Sequence, residues 1–381
     1  MLKLNNKNFK LGILGGGQLG RMFIQEAINY NVSVSIMDAD KNAPCAEIAS
    51  NFSVGDLNDF DAVYQFGKKV DLLTIEIENV NVDALEKLEK EGLAVYPQPA
   101  ILRMIKDKGL QKAFYRLNHI PTADFFLVEN KSEISKYAAH FPFMQKLRKG
   151  GYDGRGVTKL RQSSAIENAF DAPSVLEKLI DFEKEIAVIA ARNVSGEINL
   201  FPAVEMEFNP EANLVEFLFA PAVIPSEIEN KAQEIARTIV EKTGIVGVLA
   251  IEFFVTKSGE VLVNEMAPRP HNSGHHTIEA NYTSQYEQHL RAILNLPLGS
   301  TKQVQAAVMI NLLGEPNYEG NAYYQGLEEV LKEEGVFVHL YGKKTTKSFR
   351  KMGHVTILHD SLEIAKDKAL FVKNKLKVIA N

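Results

Sequence analysis

Cysteine is almost missing from this 381-residue chain, where Cys45 stands alone. That excludes an intramolecular disulfide and fits a reducing compartment. No apolar run approaches the ~20 residues that span a bilayer, and the first ten residues hold no apolar signal-peptide core. There is no excess of basic charge. A net charge of −5 offers no field for nucleic acid. Internal repeats, low-complexity tracts and the Gly-Lys-Ser/Thr ending of a Walker phosphate loop are also missing. What remains is ordinary for a soluble globular protein: 45% apolar and 24% charged residues, and length for two or three domains. A cytoplasmic enzyme without membrane or nucleic-acid partners is the expectation.

The most informative stretch is a hairpin carrying two glutamates. Val248 to Val255 reads as a strand, Lys257 to Glu260 as a turn, and Val261 to Met266 as the returning strand. A turn centred on Ser258-Gly259 would place Glu252 opposite Glu265. Like charges directly opposite on a sheet repel, and two buried carboxylates do not both stay ionised without compensation. A hard divalent cation with nucleotide phosphates resolves the conflict; two glutamates pointing into water is the plainer alternative. After the hairpin, Pro268 and Pro270 rule out a continuing central strand. The resulting loop carries Arg269, His271, Asn272, Ser273, His275 and His276, donors suited to a small oxyanion. Without paired cysteines or a helical His spacing, zinc is not expected there.

Elsewhere, Lys10 to Leu14, a helix over Arg21 to Tyr30 and Val32 to Met37 read as a parallel βαβ unit, with further strands at Leu72 to Ile75 and Leu93 to Tyr96. Tyr96-Pro-Gln-Pro99 is expected to break regular structure and close the first domain. The turn between the first strand and helix matches Gly-x-Gly-x-x-Gly at Gly15, Gly17 and Gly20, and Asp38 ends the next strand. A dinucleotide enzyme is one reading; another phosphorylated ligand on the helix N-terminus is a second; a tight turn needing glycine is a third. A second glycine-rich segment, Gly150 to Gly156, sits among Lys146, Arg148, Lys149 and Arg155, and reads as a flap over polyphosphate or as an exposed hairpin tip. Val175 to Ile180 reads as a strand able to offer backbone groups to a purine, with Glu183 and Glu185 downstream. Five cations between Lys343 and Lys351 suit a phosphate monoester or a solvated loop.

Together these residues resemble the ATP-grasp family, and within it the carboxylases that act on a ribonucleotide of purine biosynthesis. The resemblance covers nearly the whole chain. It rests on Gly15 to Met22, Gly151 to Gly156, Asn264 to His276 and Arg350 to His354. It implies an α/β (α+β) fold with a Rossmann-like parallel-sheet domain over 1–99, an ATP-grasp domain over 100–299 and a small C-terminal domain over 300–381. It also implies carboxylation of 5-aminoimidazole ribonucleotide by ATP and bicarbonate through carboxyphosphate, with Mg2+ or Mn2+, in a homodimer.

Carried over by position, ATP would meet Lys108, Lys146, the flap Gly151, Tyr152, Asp153, Gly154, Arg155 and Gly156, then Glu177, Lys178, Leu179, Ile180, Glu185, Asn264 and Glu265. Glu252 and Glu265 would ligate the metal. Arg269, His271, Asn272, Ser273 and Arg155 would serve bicarbonate chemistry. Gln18, Leu19 and Glu78 would position the aminoimidazole ribonucleotide, and Arg291, Lys343 and Arg350 would grip its phosphate. Val157, Lys108, Glu205 and Lys347 depart from the family's usual residues. Formate-dependent transformylation of glycinamide ribonucleotide, an NAD-dependent dehydrogenase and a nucleotide sensor without turnover are the competing readings.

Overall fold

The computed structural model describes residues 9–151, 156–209 and 214–381. The flap positions Tyr152, Asp153, Gly154 and Arg155 lie outside the described residues.

The chain opens with β1 (Lys10–Leu14), α1 (Gln18–Asn29), β2 (Ser33–Asp38), β3 (Asn51–Val54), α2 (Phe60–Gly67), β4 (Leu72–Ile75), α3 (Val82–Lys90) and β5 (Ala94–Tyr96). The strands form a parallel sheet in the order β3-β2-β1-β4-β5, the order expected of a doubly wound nucleotide-binding fold. Leu11 and Ile13 pack with Phe23 and Ala27 of α1. Leu14, Leu73 and Ile75 pack with Val63 of α2 and Leu85 of α3. With both faces covered, the strands read as continuous apolar runs and not as alternating ones.

Helices α4 (Pro99–Lys106) and α5 (Lys108–Leu117) follow. The expected break at Tyr96-Pro-Gln-Pro99 is corrected at its last residue. Pro99 opens α4, a position where its missing N–H is no loss and its fixed φ suits the helix. The expected boundary between residues 99 and 100 thus falls inside a helical first turn. Next, β6 (Phe125–Val128), β7 (Phe143–Leu147), β8 (Val157–Leu160) and β9 (Ser174–Lys178) make an antiparallel sheet ordered β6-β9-β7-β8.

The largest sheet is built from β10 (Phe182–Arg192), β11 (Ile198–Leu200), β12 (Val204–Asn209), β13 (Leu214–Ala220), α6 (Ser226–Thr243), β14 (Gly247–Thr256) and β15 (Val261–Ala267), then α7 (Thr277–Ala280) and α8 (Gln285–Ile293). The C-terminal part adds β16 (Ala306–Leu313), β17 (Gly320–Gln325), α9 (Leu327–Val330), β18 (Val336–Leu340), β19 (Thr345–Thr346), β20 (Lys351–His359), α10 (Leu362–Lys375) and β21 (Lys377–Ala380). One sheet runs β15-β14-β10-β12-β13-β16-β20-β18, with β11 on β10. It passes uninterrupted from β13 to β16, across the expected boundary at 299 and 300. Helix α6 covers one face. Its buried residues Ala232, Ile235, Ala236, Ile239 and Val240 recur at helical spacing, and they pack on Ile186, Val188, Leu249 and Ile251.

Candidate active site

The glutamate hairpin forms with a register that is off by one residue at its turn and corrected before the acids. Val255 faces Val261 and Phe253 faces Val263, which centres the turn on Ser258 and not between Ser258 and Gly259. Continued without a break, that register would set Glu252 against Asn264. A bulge between Glu252 and Phe253 on one side of the ladder restores Glu252 opposite Glu265, the re-aiming of side chains for which bulges recur beside functional sites. Glu185 joins the same face, because Ala187 pairs with Glu252 and Glu185 with Phe254.

Electrostatics separates the three acids. Burial and then the charges of Glu265 and Glu185 push the Glu252 carboxyl up. Glu265 is held low, first by the Lys108 ammonium, whose Nζ donates to its Oε2 at 2.8 Å. Burial lifts Glu185 to about 7. Glu265 still exposes 45% of its side chain, against 14% for Glu252, so the pair is open to solvent chiefly at Glu265.

Among the described residues no third carboxylate, histidine or cysteine completes a metal-holding group. The donor set therefore suits a hard cation that takes its remaining ligands from phosphate and water.

Lysines surround the acids on rigid elements. Asp107 caps α5 by accepting from the amides of Gly109 at 2.8 Å and Leu110 at 3.2 Å. Lys108 and Lys112 stand one turn apart on the face that follows. Lys146 on β7 and Glu177 on β9 are diagonal neighbours, since Lys146 pairs with Val175 and Met144 with Glu177. Both Glu177 oxygens are engaged: Oε2 with Lys146 Nζ at 2.8 Å and Oε1 with Lys112 Nζ at 3.1 Å. The Glu177 side chain expected at the adenine is thus held between two ammonium groups.

The charge of Arg148 is likewise not directed at a ligand. Its Nε and Nη2 each donate to Asp107, both at 2.9 Å, and a Cβ on Gly109 would come within 2.6 Å of that guanidinium. On the adenine side, the amides of Lys178 and Leu179 reach the carbonyls of Asp124 at 2.8 Å and Pro142 at 3.4 Å. Glu205 is paired with Lys184 Nζ at 2.8 Å.

The loop leaving β15 is folded against α8 and β16. Gln285 accepts from the His271 amide and donates to its carbonyl, both at 2.8 Å. Asn272 and Asn311 exchange reciprocal side-chain bonds at 2.8 and 3.0 Å. His271 Nδ1 accepts from the Ser273 amide at 3.3 Å, which leaves the proton on Nε2, 3.7 Å from Glu252 Oε1. Burial, with Arg269 and Lys351 nearby, lowers His271 to about 3, so the ring is neutral near pH 7. Arg269 Nη2 meets Glu78 Oε1 at 2.9 Å. The loop and the first sheet therefore touch through residues expected to serve different substrates.

Three amides of the glycine turn of α1, those of Gly16, Gly17 and Gly20, are taken by carboxylates of the chain itself. Glu76 Oε1 accepts from the Gly17 amide and Oε2 from the Gly20 amide, each at 2.7 Å. Asp38 takes the Gly16 amide at 2.6 Å, and Gly15 donates to the Met37 carbonyl. A Cβ on Gly17 would lie 2.5 Å from Glu76 Oε1. The phosphate-binding and dinucleotide readings of this turn are thereby corrected: the chain supplies its own anion. Gln18, just inside the helix, accepts from Lys343 Nζ at 2.8 Å, which joins two expected substrate residues.

Arg350 is partly exposed and donates from Nη1 to the Thr345 carbonyl at 2.8 Å. Arg291 does not join them. It binds Glu287 at 2.6 Å and Tyr30 Oη at 2.9 Å, at the opposite end of α1 from Gln18, roughly 18 Å away by helical rise.

Sequence reasoning passed over Lys112, Glu76, Gln285 and Asn311 as site residues. Asn311 carried a signal, a lone amide in the apolar run Ala306 to Leu313. Lys112 carried a weaker one, its position one turn from Lys108.

Comparison with known proteins agrees with this geometry. Residues 9–106 match the ribonucleotide synthetase preATP-grasp domain family, 113–286 the ATP-grasp domain family, and 307–368 the phosphoribosylaminoimidazole carboxylase C-terminal domain family. The chain is an ATP-grasp protein. A Bacillus subtilis protein named N5-carboxyaminoimidazole ribonucleotide synthase is 35% identical over 91% of each chain. The crystal structure of N5-carboxyaminoimidazole ribonucleotide synthetase from Thermotoga maritima superposes with a TM-score of 0.91 and 43% identity, covering 98% of this chain and 100% of that one. An Aspergillus clavatus N5-carboxyaminoimidazole synthase in complex with ADP and 5-aminoimidazole ribonucleotide gives a TM-score of 0.87 and 32% identity, over 97% and 98%. On these relatives, the chain belongs to the N5-carboxyaminoimidazole ribonucleotide synthetase family.

Proposed function

We propose that this chain carboxylates the amine of 5-aminoimidazole ribonucleotide with ATP and bicarbonate, releasing ADP and phosphate, in purine biosynthesis. The observation that carries the reading is the opposed pair Glu252 and Glu265, flanked by Lys108 and Lys146, with the Arg269 to Ser273 loop leaving the same strand. Bicarbonate is a poor electrophile because hydroxide is a poor leaving group. A bicarbonate oxygen attacks the γ-phosphorus, ADP departs, and carboxyphosphate forms. The substrate amine, or water-free capture of the carbon dioxide released, then gives the N5-carbamate, while phosphate leaves and the nitrogen loses a proton.

Phosphoryl transfer depends on alignment and charge neutralisation. Lys108 and Lys146 meet the nucleotide phosphates. The backbone at Lys178 to Ile180 borders adenine, and Glu185 borders the ribose. Glu252 and Glu265, beside Asn264, would hold Mg2+ or Mn2+, and that ion would supply neutralisation of phosphate charge. Arg269, Asn272, Ser273 and the Nε2–H of neutral His271 orient bicarbonate and carboxyphosphate. Gln18, Leu19 and Glu78 hold the aminoimidazole ribonucleotide, with Lys343 and Arg350 toward its phosphate. The Arg269–Glu78 pair supports this reading, because it adjoins the carboxyl donor and acceptor. The N-terminal parallel-sheet part serves the ribonucleotide and the following part the nucleotide, with the C-terminal part joined to the latter through the β13–β16 pairing, in a cytoplasmic homodimer.

A phosphate-release assay with each substrate omitted in turn tests the proposal. Release requiring ATP, bicarbonate and 5-aminoimidazole ribonucleotide together is expected. Turnover with formate and glycinamide ribonucleotide would refute it.

A further inference from the structure

Lys112 has no place among the groups assigned above, yet it is the only buried lysine among the described residues, with 2% of its side chain accessible. An ammonium withdrawn from water is costly unless charge and hydrogen bonds compensate it, and burial lowers this one to about 8. An apolar side chain would fill the space without that cost, so the reason for a lysine lies in what it holds. Its Nζ donates to Thr122 Oγ1 at 2.6 Å and pairs with Glu177 Oε1 at 3.1 Å.

Both branches return to the same strand. Thr122 Oγ1 donates to the Val263 carbonyl at 2.7 Å. Glu177 Oε2 holds Lys146 Nζ at 2.8 Å, and Lys146 Nζ donates to Asn264 Oδ1 at 3.0 Å. The circuit therefore closes on neighbouring residues of β15, at the bulge that turns Glu265 toward Glu252. One carboxylate shared by two ammonium groups also keeps a net positive charge beside the cleft. A lone Glu177–Lys146 pair would be neutral.

We infer that Lys112 is a positioning residue of the nucleotide site, fixing Lys146 and the Asn264 bulge through Glu177 and Thr122; this rests on the reading of Lys146 as a phosphate-binding group. It touches no substrate and acts only through its partners.

The test is ATP affinity measured by titration calorimetry with magnesium on the full chain, for Lys112→Met, Lys146→Met and the double variant. Lys112→Met is expected to weaken ATP by ~10-fold or more, and the double variant to bind no worse than Lys146→Met by more than ~2-fold, since coupled sites are not additive. Thr122→Val, a milder lesion in the same circuit, should weaken ATP by ~3-fold, and it serves if Lys112→Met does not fold.

Wild-type affinity in Lys112→Met overturns the inference, as does a loss that adds fully to that of Lys146→Met. The readout is nucleotide binding alone. A wild type that binds ATP but does not carboxylate the ribonucleotide defeats the carboxylase reading and leaves the role of Lys112 standing.

Discussion

At the start of α1 one carboxylate, Glu76, faces two backbone amides, Gly17 and Gly20, each at 2.7 Å. Across the hairpin of β14 and β15 two carboxylates, Glu252 and Glu265, face one another. Both arrangements join acids to chain turns rich in glycine or proline, and both suggest phosphate chemistry in sequence. In the first, each Glu76 oxygen has an amide partner and the helix dipole favours the negative charge, so those two amides are already taken and not offered to a phosphate. In the second, charge of one sign is crowded together: burial pushes both the Glu76 and the Glu252 carboxyl up, but at Glu76 the Gly20 and Gly17 amides oppose that push, whereas at Glu252 the charges of Glu265 and Glu185 add to it. A balanced cluster is part of the scaffold, whereas an unbalanced one is a place for a counter-ion.

The sharpest way to break this comparison is Glu265→Gln. It should cut phosphate release by ~10³-fold or more, about 4 kcal/mol of transition-state stabilisation, with a melting temperature near that of the wild type, because relief of the repulsion on Glu252 offsets the loss of the Lys108 pair. Substantial turnover in that variant would remove the metal role. Glu76→Gln should do the reverse: its amide N–H₂ would oppose one glycine N–H, costing about 2–3 kcal/mol of stability, read as a lowered denaturation midpoint, with ATP affinity within ~3-fold. Loss of ATP binding at wild-type stability would make the glycine turn a ligand site after all.

A pH experiment tests the join between the two regions. His289 is wedged between them, its Nδ1 accepting from the Val248 amide at 3.1 Å and its Nε2 meeting Thr74 Oγ1 at 3.0 Å. Burial lowers it to about 3, while the unfolded chain takes up a proton near 6.5. The folded pKa is the lower one, so the unfolded state binds more protons and stability falls as pH drops below about 6.5. The expected loss from this group is about 2 kcal/mol by pH 5. His289→Gln should flatten the fall in melting temperature between pH 7 and pH 5; an unchanged slope counts against it.

The smallest effect belongs to Arg291→Ala. Its partly exposed pairing with Glu287 and Tyr30 makes about 1 kcal/mol or less of stability the expected loss. The KM for the ribonucleotide should stay within ~2-fold. A tenfold rise would return Arg291 to the substrate phosphate.

Much of this was legible in the chain because it depends on local pattern. Apolar runs place β1, β4 and β16, the spacing of Ala232 to Val240 marks a buried helical face, and the acids of the hairpin lie symmetrically about a turn. Errors arose where the outcome depended on a partner far away in the chain. Gly15 to Gly20 look the same whether their amides meet a phosphate or Glu76, since the deciding residue lies some sixty positions on. Arg148 and Arg291 are cations in sequence, and only Asp107 and Glu287 reveal that their charge is already engaged. Likewise, no spacing shows that Lys112 and Lys146 converge on Glu177.

The sequence by itself determined the elements, the βαβ beginning, the donor types of the cleft and the family. Those follow from backbone propensity, hydrophobic period and side-chain chemistry, which each residue carries with it. Only the tertiary structure decided which charges cancel and which remain. Electrostatic compensation depends on distances of a few ångströms between side chains separated by tens to hundreds of residues, and one bulged residue was enough to set Glu252 against an acid and not against Asn264.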